Sequence, residues 1–110
     1  MIVQINMDIE GMLVRIEKED TKLTVALKGG LDTRTSQEFE MELKPMLKGV
    51  TEFVMDFTEL DYITSAGLRL LLQAAKIMET QGEMIVENPN SDVLDVFHLT
   101  GFENVLTIKS

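Results

Sequence analysis

The stretch Phe53-Val-Met-Asp-Phe57, followed by Asp61-Tyr-Ile-Thr-Ser-Ala-Gly-Leu68, decides how this chain folds. Its first part is almost unbroken apolar sequence, which reads as a buried central strand. Beyond Gly67, residues Leu68, Leu71, Leu72, Ala75 and Met78 recur at helical spacing. A strand must therefore turn into a helix within a few residues, and Ser65 falls in the first turn of that helix. Backbone N–H groups there have no intrahelical partner, and the helix dipole favours negative charge. A phosphate on Ser65 is thus compatible with the fold, which makes the hydroxyl a candidate switch. Thr64 or Ser65 is also suited to plain N-capping, a role short hydroxyl side chains often fill.

Working outward, the rest of the chain alternates strands with helices. Met12, Val14 and Ile16 alternate with Leu13, Arg15 and Glu17, and Leu23, Val25 and Leu27 with Thr24, Ala26 and Lys28. With Glu19-Asp-Thr-Lys22 as the turn, they predict an N-terminal β-hairpin with one buried face. Thr35-Ser-Gln-Glu38 has the form of a capping box, and Phe39, Leu43 and Met46 follow on one helical face. Pro45 should kink or shorten this helix, and Gly49 should close it. Glu83-Met-Ile-Val-Glu87 reads as the next strand. A helix capped by Ser91 or Asp92 follows, carries Val93, Val96, Phe97 and Thr100 on one face, and stops at Gly101. Asn104 to Ile108 then suits an edge strand. The expected architecture is α/β: a mixed sheet of four to five strands with helices packed on it.

Composition narrows the function. The 110 residues fit one domain at 12–110, with residues 1–11 left as an extra edge strand or an N-terminal arm. There is no cysteine, so disulfides and thiolate metal sites are excluded. No apolar run approaches the roughly 18 residues needed to span a bilayer, and no basic-then-apolar leader opens the chain, so membrane insertion is not expected and the cytoplasm is. Ten basic against 19 acidic residues give a formal net charge of −9 without a basic cluster. Such a chain is not expected to bind nucleic acid, whose phosphates must be neutralised by Lys and Arg. The acidity fits either steering toward a protein partner or plain solubility.

Catalytic motifs are weak. Ile63-Thr-Ser-Ala-Gly67 lacks the first glycine of a nucleophile elbow, and the single histidine, His98, sits in the last predicted helix. Asp56 has the place of a receiver-domain acceptor but lacks an N-terminal acidic pair. No cofactor, metal or catalytic residue is assigned, and an enzyme is not expected.

Two loops, Gly29-Gly-Leu-Asp32 and Thr64-Ser-Ala-Gly67, each follow a strand and precede a helix, so they should share one rim of the sheet. Gly67 would let the helix start pack against a neighbouring backbone or a partner. On the helix after Ser65, Leu70, Ala74 and Ile77 form a second apolar stripe, flanked by Arg69 and Gln73. That stripe suits either a partner or the preceding helix. Thr33, Thr35 and Ser36 offer further hydroxyls near the rim.

Gly29-Gly-Leu-Asp-Thr-Arg-Thr-Ser36, Asp56-Phe-Thr58 with Asp61 to Leu68, and Val96-Phe-His-Leu-Thr-Gly-Phe102 together resemble the three-part pattern of STAS domains that act as anti-sigma factor antagonists, from about Leu13 onward. Thr64 stands where many members have aspartate, and Gly30 where many have an acidic residue. The resemblance implies a bacterial phosphoprotein of transcription regulation, working by partner switching. Its unphosphorylated form binds an anti-sigma factor serine kinase and frees the sigma factor. Phosphorylation of Ser65 ends that binding, and a serine phosphatase restores it. The resemblance and the helical stripe together give an expected partner surface of Asp32, Thr33, Thr64, Ser65, Ala66, Gly67, Arg69, Leu70, Gln73, Ala74 and Ile77, on a monomer or weak dimer. Alternatives within the fold are a transporter accessory subunit and a non-catalytic partner-switching scaffold.

Overall fold

Alternating burial along the two strands of the expected hairpin shows why they pair as they do. Met12, Val14 and Ile16 on β2 (Met12–Glu19) and Leu23, Val25 and Leu27 on β3 (Lys22–Leu31) are buried, while their neighbours face outward. The computed structural model describes all residues 1–110. Ahead of the hairpin, Ile2–Ile9 forms β1, antiparallel to β2 along its whole length. The β1–β2 connection is Glu10-Gly11, and both residues have positive φ, 51° and 89°, the backbone of a two-residue hairpin turn that matches strand twist.

From β3 onward the sheet is parallel. Helix α1 (Thr33–Met46) leads to β4 (Glu52–Ile63), α2 (Ser65–Glu79) to β5 (Glu83–Glu87), and α3 (Ser91–Thr100) with a short 3-10 turn to β6 (Thr107–Lys109). The order across the sheet is β1-β2-β3-β4-β5-β6. This makes six strands rather than four to five, because β1 and the short β6 close the two edges. Successive right-handed crossovers in one direction place α1, α2 and α3 on the same face. Phe39, Leu43, Leu68, Leu71, Val93 and Phe97 from the helices join Phe53, Met55 and Phe57 of β4 in one core. On the opposite, open face, Leu13, Arg15, Ala26, Lys28 and Asp56 help line a shallow groove of about 440 Å³.

Several boundaries differ from the sequence reading. Gly29 and Gly30 stay in β3 instead of opening a loop. The β3–β4 ladder continues through an irregular register there and ends on the buried pair Leu31 and Ile63, with Gly29 taking φ 118°. For the same reason β4 runs on through Asp61-Tyr62-Ile63. The α1 cap is Asp32, with Thr35 at the third helical position and not the start of the box; Asp32 Oδ1 accepts from Arg34 and Thr35 N–H, and Thr35 Oγ1 accepts from Asp32 N–H. The α3 cap is Asn90, not Ser91 or Asp92: its Oδ1 accepts from Val93 N–H while its amide donates to the carbonyls of Leu60 and Asp61. Pro45 sits in the last turn of α1, which ends one residue later, and Gly49 follows with φ 79°. Gly101 stops α3 in the left-handed region at φ 77°, as the sequence indicates.

Leu71 has no exposed surface and lies where α2 meets the sheet. Leu71→Ala should lower stability by about 2–5 kcal/mol, measured as a lower urea midpoint with an unchanged m-value.

Candidate functional site

The rim is built at the ends of two adjacent parallel strands. Where β3 stops, Asp32 caps α1; where β4 stops, Thr64 takes the N-cap position of α2, and Thr64 N–H donates to the Leu31 carbonyl at 3.0 Å, which fastens the two junctions together. Thr64 holds the N-cap position in extended conformation, yet its hydroxyl makes no capping bond and is buried without a partner. Ser65 is therefore the first helical residue, and it is exposed. Leu68 N–H, bonded to Thr64 O at 3.0 Å, is the first in the helical ladder, so the N–H groups of Ser65, Ala66 and Gly67 precede it. No side chain competes for them, because the Thr64 hydroxyl does not cap.

Gly67 is buried against the end of β3. A Cβ there would lie 2.9 Å from the Leu31 carbonyl oxygen and 2.7 Å from Ile63 Cγ1, so this glycine serves close packing of helix on strand and is not offered to a partner. Leu70 and Ala74 are also buried, both 3% exposed, and with Gln73 and Ile77 they line the seam between α2 and α1 together with Leu43 and Leu47. The second apolar stripe thus packs on the preceding helix. In exchange Leu72 and Ala75, which belong to the first apolar stripe at helical spacing, are only half-buried. Thr33, Ser65 and Arg69 are exposed, and Asp32, Thr64, Ala66, Gln73 and Ile77 half-buried, whereas Thr35 and Ser36 lie inside at 4% exposure each. Of the hydroxyls following Asp32, only Thr33 is open to solvent.

The side chain that sequence reading missed is Tyr62. Its hydroxyl donates to Asp32 Oδ2 at 2.9 Å, and its ring lies over Gly30, whose missing side chain makes the room. One signal was present: in extended chain Ile63 points inward, so Tyr62 must point out, and Gly30 is its register partner on β3. The Thr35 N–H and then the Tyr62 hydroxyl hold the Asp32 carboxyl below the usual carboxylate range. In return, the Asp32 hydrogen bond and charge push the Tyr62 phenol above its ordinary value.

Other candidates fall away from this rim. Asp56 Oδ1 accepts from the Thr58 N–H and hydroxyl, so it supports the strand around Thr58. His98 lies near the far end of α3, about 12 Å along the axis from the Asn90 cap at 1.5 Å per residue, and pairs with Glu103.

The family model that matches residues 13–110 is that of the STAS domain. The chain belongs to the STAS domain family. The resemblance read from the three motifs is thereby borne out. A protein of Bordetella bronchiseptica named as an anti-sigma factor antagonist, BtrV, is 33% identical over 101 residues, which cover 90% of this chain and 87% of that protein. Among solved structures, an anti-sigma factor antagonist of Thermotoga maritima superposes with TM-score 0.80 at 17% identity, covering 86% of this chain and 84% of that one. The anti-sigma factor antagonist SpoIIAA in its unphosphorylated form superposes with TM-score 0.77 at 22% identity, covering 88% of each chain. At those identities the structural likeness establishes the STAS fold, with the mixed sheet and three helices found here.

This STAS chain has one tyrosine and no tryptophan, so absorbance near 295 nm follows Tyr62 alone. Asp32→Asn should lower the titration midpoint of that phenol toward about 10. The Tyr62 contribution to stability is complete below that ordinary value and is lost as pH rises through the raised one. The Asp32 contribution runs the other way: it is complete above about pH 4 and is lost as pH falls through the lowered carboxyl value.

Proposed function

We propose that this STAS domain is an anti-sigma factor antagonist of the cytoplasm, switched by phosphorylation of Ser65 and without catalytic activity of its own. Its partners are an anti-sigma factor with serine kinase activity and a serine phosphatase that reverses the modification. The observation that carries the reading is the exposed residue Ser65 at the first position of α2. It supports a modification site because the positions that follow can bear negative charge, and Asp32 lies on the neighbouring strand end. No helix of the chain is long and apolar enough to cross a membrane.

A phosphate adds about −1.5 to −2 charges at neutral pH. It would enter a rim that already holds Asp32 at the neighbouring helix start and the exposed Asp61 four residues before it, on a chain of net charge −9. Repulsion and the desolvation of a hydrated dianion then oppose docking, while the helix start tolerates the charge and the fold persists. The partner surface is narrower than the sequence reading had it: Asp32, Thr33, Thr64, Ser65, Ala66 and Arg69, without the buried Gly67, Leu70 and Ala74 and without Gln73 and Ile77, which line the seam with α1.

Incubation with ATP and a purified kinase-type anti-sigma factor from the same organism, followed by peptide mapping, should place one phosphate on Ser65, and Ser65→Ala should remain unmodified. Ser65→Asp should bind that kinase at least about tenfold more weakly than wild type, roughly 1.4 kcal/mol, with an unchanged cooperative melt. Label on Asp56, or Ser65→Asp binding as tightly as wild type, overturns the proposal.

A further inference from the structure

Tyr62 is a large side chain left on the surface beside the switch, and three features fix it there. Its ring rests on Gly30, where a Cβ would overlap the ring atoms; Gly30 has no positive φ, so the ring and not the backbone excludes a side chain. Its hydroxyl is tied to Asp32 Oδ2. Asp32 is in turn held by its own capping bonds at the start of α1. Tyr62 as a residue nevertheless keeps 48% of its surface exposed. An apolar face held in one orientation before docking loses little entropy when a partner covers it, and tyrosine is among the residue types that dominate interface energies for this reason.

We infer that Tyr62 is a specificity-determining contact of this rim, receiving an apolar side chain of the kinase-type anti-sigma factor on its exposed ring. The inference rests on the function proposed above and names a residue for it. It also explains how one phosphate ends binding. Ser65 begins the helix three residues after Tyr62, so a hydrated phosphate there keeps water at the ring and spoils a contact that is strong only when dry. Asp32 acts through Tyr62 as a positioning residue: it sets the ring's orientation without meeting the partner's apolar group.

The test is direct titration of the purified kinase with wild-type protein and four variants, with thermal melts as the control on folding. Tyr62→Ala should weaken binding at least about tenfold. Tyr62→Phe keeps the ring without its tether and should lose only about two- to fivefold, a rescue that a purely structural hydrogen bond would not give. Gly30→Ala displaces the ring from below and should weaken binding between these limits while leaving every other rim residue in place. The inference is overturned if Tyr62→Ala binds within about twofold of wild type. If Ser65→Asp loses binding in that same series, the function stands and only the role of Tyr62 falls. A kinase that phosphorylates Ser65 but is indifferent to Tyr62 and Gly30 also excludes it. If no kinase of this type binds the wild-type chain, both proposals fall together.

Discussion

Leu31 pairs with Ile63 at the end of the β3–β4 ladder, and both side chains are buried, so the two strands must stop side by side on the same edge of the core. That pairing makes a site out of two separate turns. The residues immediately after it, Asp32 and Thr64, become neighbouring helix caps, and the Thr64 N–H bond to the Leu31 carbonyl closes the gap. Removing the register would leave Ser65 at a helix start but unrelated to Asp32 and Tyr62. The parallel ladder is maintained across its irregular stretch only because Gly29 takes the positive φ and Gly30 accepts the Tyr62 ring.

Asp32 serves two elements at once. One carboxylate oxygen satisfies N–H groups at the start of α1, and the other receives the Tyr62 hydroxyl from the end of β4. Ionisation strengthens both bonds, which is why the folded chain holds the carboxyl charged to lower pH than a free aspartate. The neighbouring cap behaves differently: Thr64 makes no such bond, and the first turn of α2 is left without a side-chain acceptor. A rim with one satisfied helix start and one unsatisfied start is rigid on the first side and receptive to an anion on the second.

Much of this was legible along the chain. Strict alternation in β2 and β3, the apolar run of Phe53 to Phe57, and the helical spacing from Leu68 to Met78 gave the element order, because each pattern reflects which side of an element meets the core. The Ser65 position was legible too, since a strand followed at once by a helix leaves few residues for the turn. The caps were less so: the Thr35 to Glu38 pattern hid Asp32, and Ser91 and Asp92 hid Asn90, and both true caps also bond residues at the end of β4. Asn90 bonds the carbonyls of Leu60 and Asp61, which lie about 30 residues away along the chain.

The amino-acid sequence by itself determined the order of strands and helices, the strong negative charge and the hydroxyl at the β4–α2 junction, because these depend on local periodicity and on residue type. Tertiary structure decided which faces remain free. A helix with two apolar stripes cannot state which one its neighbour will cover, and α1 covers Leu70 and Ala74. Nor can Tyr62 announce a seat over Gly30, residues 32 positions apart in sequence, until the parallel register sets one against the other.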